Sequence, residues 1–298
     1  ALGETHPDTT RSLNNLGLLY FRQERYADAE DMYQRAIDSM VEVHGSDHPD
    51  TLSARNNLAA LYNNWGRSEL ARSMNEETLE TRRRVLGEEH PDTLLSLNNL
   101  ADTLRRLGQY DEAEVHLLQA LELTGRTRGE THPETLRVRN NLALVYHAQS
   151  RYPESEAALR EVLSQRLEVL GADHEDTLDT RLYLGDLYRD WQRYDETIEH
   201  YQTVLARLER RPDADEGDLL VPLASLGKVY ADLEDYDQAQ AYFQRALAIG
   251  ARVDPGEEDE DHRALVNDYA EFLRTTGGSD EASSQVPPAS TAASGSDS

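Results

Sequence analysis

The sequence predicts an all-α fold, a right-handed α-solenoid of six antiparallel helix pairs with a C-terminal capping helix. Three observations predict it. His-Pro recurs at His6-Pro7, His48-Pro49, His90-Pro91 and His132-Pro133, always 42 residues apart, and His174-Glu175 keeps the beat without the proline. A fixed period of about 20–50 residues marks a repeat architecture. Within each period two apolar stripes at helical spacing flank a turn. The hydrophobic content, 38%, is low for a globular chain and suits an array that grows by stacking.

The first period serves as template. Pro7 presets the backbone at a helix start, where its missing N–H is no loss, and Asp8 suits the positive end of the helix dipole. Leu13, Leu16, Gly17 and Tyr20 form one face of an amphipathic helix. A break follows at Glu24-Arg25, which becomes Gly66-Arg67 and Gly108-Gln109 in later copies, glycine being the usual helix C-cap. Tyr26 opens the second helix, Ala29, Tyr33, Ala36 and Ile37 form its buried stripe, and Gly45 ends it. The columns continue through six copies: Leu16, Leu58, Leu100, Leu142, Leu184 and Leu226, each followed by a small residue (Gly17, Ala59, Ala101, Ala143, Gly185, Gly227) that lets two backbones approach closely.

The expected repeats are approximately 5–45, 46–87, 88–129, 130–171, 172–213 and 214–255, with a cap over 262–277. The array thus fills 1–277, and a disordered Ser/Ala/Pro-rich tail covers 278–298. Repeat six loses its His-Pro junction to "RRPDADEGDLL" but keeps register. In the cap, Tyr269-Ala270, Leu273 and Gly277 match Leu100-Ala101, Leu104 and Gly108 after a one-residue shift. Leu2-Gly3 aligns with the repeat ends Leu86-Gly87 and Leu170-Gly171, so a longer protein is expected before Ala1. In repeat two, Ser68, Asn75 and Thr78 replace apolar core types. Either this repeat is the softest point of the array, or Leu70 and Met74 carry its packing.

These columns, Leu-Gly and Tyr in the first helix and two alanines in the second, resemble the tetratricopeptide repeat. The 42-residue period and segments such as "HPDTLLSLNNLADTLRRLGQYDEAE" are similar to its kinesin-light-chain variety, found in bacterial and fungal repeat proteins that are not motor subunits. The resemblance implies a protein-interaction scaffold.

Composition narrows the functions further. Net charge is −27, from 57 acids against 30 bases, and this disfavours nucleic-acid backbone and anionic membrane surfaces. All bases except Lys228 are arginine. There is no cysteine, which excludes disulfides and thiolate-bound metal. No apolar run is long enough for a transmembrane helix. No phosphate loop, nucleophile elbow or metalloprotease motif occurs, so no enzymatic activity, cofactor or metal is expected, and the expected location is cytoplasmic. The recurring histidines read as helix-junction residues: stacked repeats stand about 10 Å apart, too far for one ion to be shared.

The candidate site is a run of asparagine pairs seven residues past each proline: Asn14-Asn15, Asn56-Asn57, Asn98-Asn99 and Asn140-Asn141. On a helical wheel they lie about 110–150° from the centre of the apolar face, outside the core. Amides both donate and accept, so such a row can hold an extended peptide backbone whatever its sequence. In the arrays this chain resembles, Asn at these places contacts bound peptide. Two alternatives stand beside this: the pairs were copied with the repeat, or they join neighbouring first helices. Repeats five and six carry Leu182-Tyr183 and Ala224-Ser225 instead. Arg105, Arg106 and Arg137 share the outward arc, and arginine forks suit carboxylates. The expectation is a protein or peptide partner, acidic in its side chains, in the concave groove of repeats one to four. A catalytic domain before Ala1 (a kinase or nucleotide-switch ATPase that the array regulates) and self-association through Leu13, Leu16 and Tyr20 are the alternatives.

Overall fold

The computed structural model describes residues 6–211, 215–254 and 260–276. Among them are thirteen α-helices, one 3-10 turn (Glu216–Leu219) and no strand. The helices are α1 (Pro7–Arg22), α2 (Tyr26–His44), α3 (Pro49–Asn64), α4 (Ser68–Leu86), α5 (Pro91–Arg106), α6 (Tyr110–Arg128), α7 (Pro133–Ala148), α8 (Tyr152–Val169), α9 (Glu175–Asp190), α10 (Tyr194–Leu208), α11 (Leu220–Asp232), α12 (Tyr236–Val253) and α13 (Glu260–Thr275). The first helix of a pair packs on its second, as α1 on α2 and α11 on α12, and the second packs on the next pair, as α2 on α3 and α10 on α11. This is the consecutive helix-pair packing of an α-solenoid. The chain forms two compact units, Ala1–Gln165 and Arg166–Ser298.

The junction histidines are N-caps. The N–H two residues on donates to the imidazole Nδ1 at His6, His48, His90, His132 and His174, at 3.2 Å in every copy. That bond satisfies one of the donors a helix start leaves free. It survives at His174, where the proline is lost. Gly45, Gly87, Gly129 and Gly171 close the second helices with φ between 88° and 99°, a region L-residues rarely adopt. Inside each pair the turn also needs a left-handed residue. Gly66 and Gly108 meet that need at no steric cost, whereas Glu24, Ser150, Gln192 and Glu234 hold φ of 55–60°, at roughly 1 kcal/mol each.

The small-residue column has a cause more specific than backbone approach. A Cβ on Gly17 would lie 2.9 Å from the Tyr33 ring, one on Gly185 2.6 Å from Tyr201, and one on Gly227 2.9 Å from Phe243. Where the column holds alanine (Ala59, Ala101, Ala143), the facing second-helix residue is smaller: Asn75, Leu117 and Leu159. Glycine therefore goes with a ring and alanine with a non-aromatic side chain.

A second coupled pair spans consecutive repeats. Arg82 is 1% exposed and Arg166 4%, at the same position of α4 and α8. Arg82 donates from Nη1 to the Asp92 carbonyl and Ser96 Oγ, both 2.9 Å, and from Nη2 to Ser53 Oγ at 3.1 Å. Arg166 donates to the Asp176 carbonyl and Thr180 Oγ1, both 2.7 Å. Burial pushes both guanidinium pKa values down, opposed by Asp92 and by Asp176 respectively. Elsewhere the column is Met40, Thr124 and Leu208, and the hydroxyl position is Ala54, Val138 and Pro222. Nothing local marks the buried arginines: Arg82 stands in the run Arg82-Arg83-Arg84, and Arg166 follows Gln165 on an otherwise ordinary helix. Comparison down the column would have found them.

Three expectations need correction or refinement. Leu70 does not carry the packing of repeat two: it is 50% exposed, because it lies on the outer side of α4, while Met74 does pack against the core. Asn75, almost fully buried, is answered by a polar residue of the next repeat, its Nδ2 donating to Thr103 Oγ1 at 2.9 Å, as does Asn63 Nδ2 at 2.8 Å. Asn75 Oδ1 and Thr78 Oγ1 are buried without a partner, each costing about 1–3 kcal/mol. Finally, Leu16 and Tyr20 are only half-buried, unlike Leu58, Leu100 and Leu142.

In the second unit, α11 is entered through the 3-10 turn, where Asp215 Oδ1 accepts from the Gly217 N–H at 3.0 Å and takes the histidine's role. The helix α13 packs on α11 and α12, with Leu265, Tyr269, Phe272 and Leu273 joining Phe243 in one core. Lys228 clamps it through Asp268 at 2.6 Å. His262, 4% exposed, sits where a Cβ on Gly250 would come within 2.6 Å of its ring. The expected cap residue Gly277, the tail 278–298, Leu2-Gly3 and residues 212–214 lie outside the described residues.

Candidate functional site

The asparagine pairs lie in the middle of α1, α3, α5 and α7, all in the first unit. The structure splits each pair. Asn56, Asn98 and Asn140 are buried, at 7%, 4% and 4% exposure, and Asn14 is half-buried. The expectation that both members lie outside the core is therefore wrong for the first member. The wheel counted only the face toward the partner helix, but in a stack a first helix also buries an arc against the next first helix, as α3 does on α5 and α5 on α7. The second members stay accessible: Asn15 and Asn57 are exposed, Asn99 and Asn141 half-buried.

The two members meet across repeats. Asn57 Nδ2 donates to Asn14 Oδ1 at 3.3 Å, and Asn141 Nδ2 to Asn98 Oδ1 at 2.9 Å. Four of the eight asparagines thus join neighbouring first helices. Between these links, both amide atoms of Asn56 and the Oδ1 of Asn140 are buried without a partner. Asn57 and Asn141 donate through nitrogen in these links, which leaves their amide oxygens as acceptors.

Of the arginines, Arg105 and Arg106 are occupied. Both pair with Asp102 on their own helix, at 2.7 and 3.0 Å. Burial would raise the Asp102 carboxyl, but the two guanidinium groups outweigh it and hold it below its usual range. Arg139, near the edge, bridges Glu130 and Glu161 at 2.6 and 2.9 Å, and Arg55 pairs with Glu77 at 2.7 Å. Arg137 has no ion pair among the described residues. The face is amide-bearing along its length, with local positive charge at Arg137 and an ion-paired cluster of two guanidinium groups on one carboxylate at Asp102.

No helix among the described residues is long and apolar enough to cross a membrane. Among the described residues no group of three His, Asp or Glu is placed to hold a metal ion.

Comparison with known proteins agrees with the fold. The tetratricopeptide repeat family model matches residues 8–84, 66–124, 92–166, 134–210 and 182–252. No curated protein matches the chain. Among solved structures, kinesin light chain-like repeats of Podosopora anserina share 25% identity at a TM-score of 0.57, covering 69% of this chain and 97% of that one. BtubC from P. vanneervenii shares 22%, at a TM-score of 0.59 over 84% of this chain and 94% of that one. A Rap protein complexed with Competence and Sporulation Factor superposes with a TM-score of 0.65 at 15% identity, covering 91% of this chain and 71% of that one. The last two likenesses are of fold alone.

Proposed function

Because this chain belongs to the tetratricopeptide repeat family, whose members mediate protein–protein interaction, we propose that it is a scaffold that holds an extended peptide segment of a protein partner along the first-helix face of repeats one to four. The observation that carries this is the row of second asparagines, Asn15, Asn57, Asn99 and Asn141, left accessible while Asn56, Asn98 and Asn140 are buried and Asn14 is half-buried. Asparagine is a mediocre helix former, and the accessible members give little packing in return. Their amides match the alternating N–H and C=O of an extended backbone. Arg137, without a counter-ion among the described residues, favours acidic side chains in the segment. Arg105 and Arg106 contribute to that preference only by exchanging Asp102 for a ligand carboxylate. The reading assigns no catalytic residue and no cofactor.

The test is a pull-down with the intact chain against Asn57→Ala/Asn99→Ala/Asn141→Ala, the fold checked by circular dichroism. Partners lost only from the variant are its clients. Titration with short acidic and basic peptides follows. Acidic peptides are expected to bind at least about tenfold tighter, and Arg137→Ala to remove most of the difference. Tighter binding of the basic set, or a variant that binds as the intact chain does, would sink the reading.

A further inference from the structure

The slot between consecutive helix pairs is filled in two places by a guanidinium: Arg82 reaches the first turn of α5, and Arg166 that of α9. Both take the carbonyl of the aspartate in that turn, Asp92 or Asp176, and Arg166 also has the Asp176 carboxylate at 3.5 Å. Arg82 further reaches back to Ser53 on the preceding first helix. Transferred by register to the fifth and sixth pairs, within the second unit, these positions are Leu208 for the arginine, Asp218 for Asp92 and Asp176, and Asp179 for Ser53. The internal guanidinium is missing here, the hydroxyl it would meet is replaced by Pro222, and the other two places hold carboxylate side chains.

A cavity of about 910 Å³ occupies that place, and Leu208, Asp218 and Asp179 all line it. Its apolar surface includes Leu178, Leu182, Val204, Leu220 and Val221. Of its acids, Asp173 pairs with Arg207 at 3.0 Å, Asp254 with His262, and Asp215 caps Gly217. Asp179, Asp218 and Glu175 have no ion pair among the described residues. Burial and then the neighbouring Glu175 and Asp176 hold the Asp179 carboxyl above its usual range, and burial followed by Asp215 does so for Asp218, while Arg211, the cation on the wall, pulls Asp218 the other way.

We propose that this cavity receives an arginine side chain from a partner protein, its guanidinium set between Asp179 and Asp218 and its methylene stem over Leu208. The partner would then supply from outside the group that Arg82 and Arg166 supply from within. An arginine fits better than a lysine: the planar fork reaches two carboxylates at once, and its weaker hydration suits a half-apolar cavity. The inference is independent of the asparagine row, which lies in the other unit.

The experiment is a methyl-NMR titration of the full chain with three tripeptides, acetyl-Gly-Arg-Gly-amide and its lysine and citrulline counterparts. The arginine peptide is expected to shift the methyls of Leu178, Val204 and Val221 saturably. The lysine peptide should bind several-fold more weakly, and the neutral citrulline peptide should leave the methyls unmoved. Asp179→Asn/Asp218→Asn should weaken the arginine peptide at least about tenfold. Leu208→Arg should abolish its binding by filling the slot from within. If Leu208→Arg fails to fold, the Asn variant, with changes at half-exposed and exposed positions, decides alone. Equal response to all three peptides, shifts spread over the acidic surface, or unchanged binding by the Asn variant would overturn the proposal.

Discussion

The two units are built on one repeat yet fill their seams differently. In the first, the seam between consecutive first helices is polar, made of Asn14 with Asn57 and Asn98 with Asn141, and the core of the third repeat is aliphatic around Leu97, Leu100, Leu104 and Leu117, while the first repeat keeps the Tyr33 ring against Gly17. In the second, Leu182 and Ala224 take the first asparagine's place, and the core gathers Tyr201, Phe243, Tyr269 and Phe272. The backbone pattern is common to both, so the fold does not demand one particular seam. What it demands is that facing residues change together. A ring in the second helix goes with glycine in the first, a buried arginine goes with a hydroxyl in the next repeat, and Asn75 goes with Thr103. Interiors packed to crystal density leave no other option.

The largest expected effect breaks the arginine pair. Arg82→Met leaves Ser53, Ser96 and the Asp92 carbonyl without their donor and should cost about 3 kcal/mol, read from the urea midpoint. Adding Ser96→Ala rebuilds the Met40/Ala54 combination of the first junction and should recover at least about 1 kcal/mol of it. A double variant no better than the single one would mean that the arginine is local to its repeat.

Next comes the ring-and-glycine pair of the second unit. Gly185→Ala places a methyl 2.6 Å from the Tyr201 ring, with Tyr201 fully buried and its hydroxyl donating to Asp186 at 2.6 Å. Overpacking of this kind costs about 2 kcal/mol. Combined with Tyr201→Leu it reproduces the Ala101/Leu117 arrangement of the first unit, and a double-mutant cycle should show favourable coupling of about 1 kcal/mol. Simple additivity would mean that the ring and the glycine facing it are not a coupled pair.

The smallest effect has the opposite sign. Asn75→Leu with Thr103→Val replaces the buried polar contact by the Leu117/Val145 pair one repeat on, also removing the unpartnered Asn75 Oδ1. Stability should rise by about 1 kcal/mol, since replacing both partners of a buried hydrogen bond by apolar groups is near neutral or favourable. Asn63 then loses Thr103 as its acceptor, which limits the gain. A loss of stability would show that Asn63, Asn75 and Thr103 act as one network.

Much of the fold was legible in the chain, and for local reasons. A histidine cap, a proline at a helix start and a left-handed glycine act over a few residues, so they read the same in every copy. The candidate site was only half legible. The period singled out the asparagine column, but a helical wheel of one element cannot show that Asn56, Asn98 and Asn140 turn into the next repeat. Nor could it show that Arg105 and Arg106 close on Asp102, since the outward arc holds acids and bases alike.

By itself the sequence determined the period, the helix ends, the two-helix unit and the column of candidate amides, because each depends on residues within one repeat. Only the tertiary structure decided which amides stay accessible, which arginines are buried, and where a slot is left open beside Leu208. Those outcomes depend on contacts between residues about 10–43 positions apart in neighbouring helices, as from Arg82 to Asp92 and from Asn141 to Asn98. Two side chains that must share one space can be recognised as a pair only once the stack brings them together.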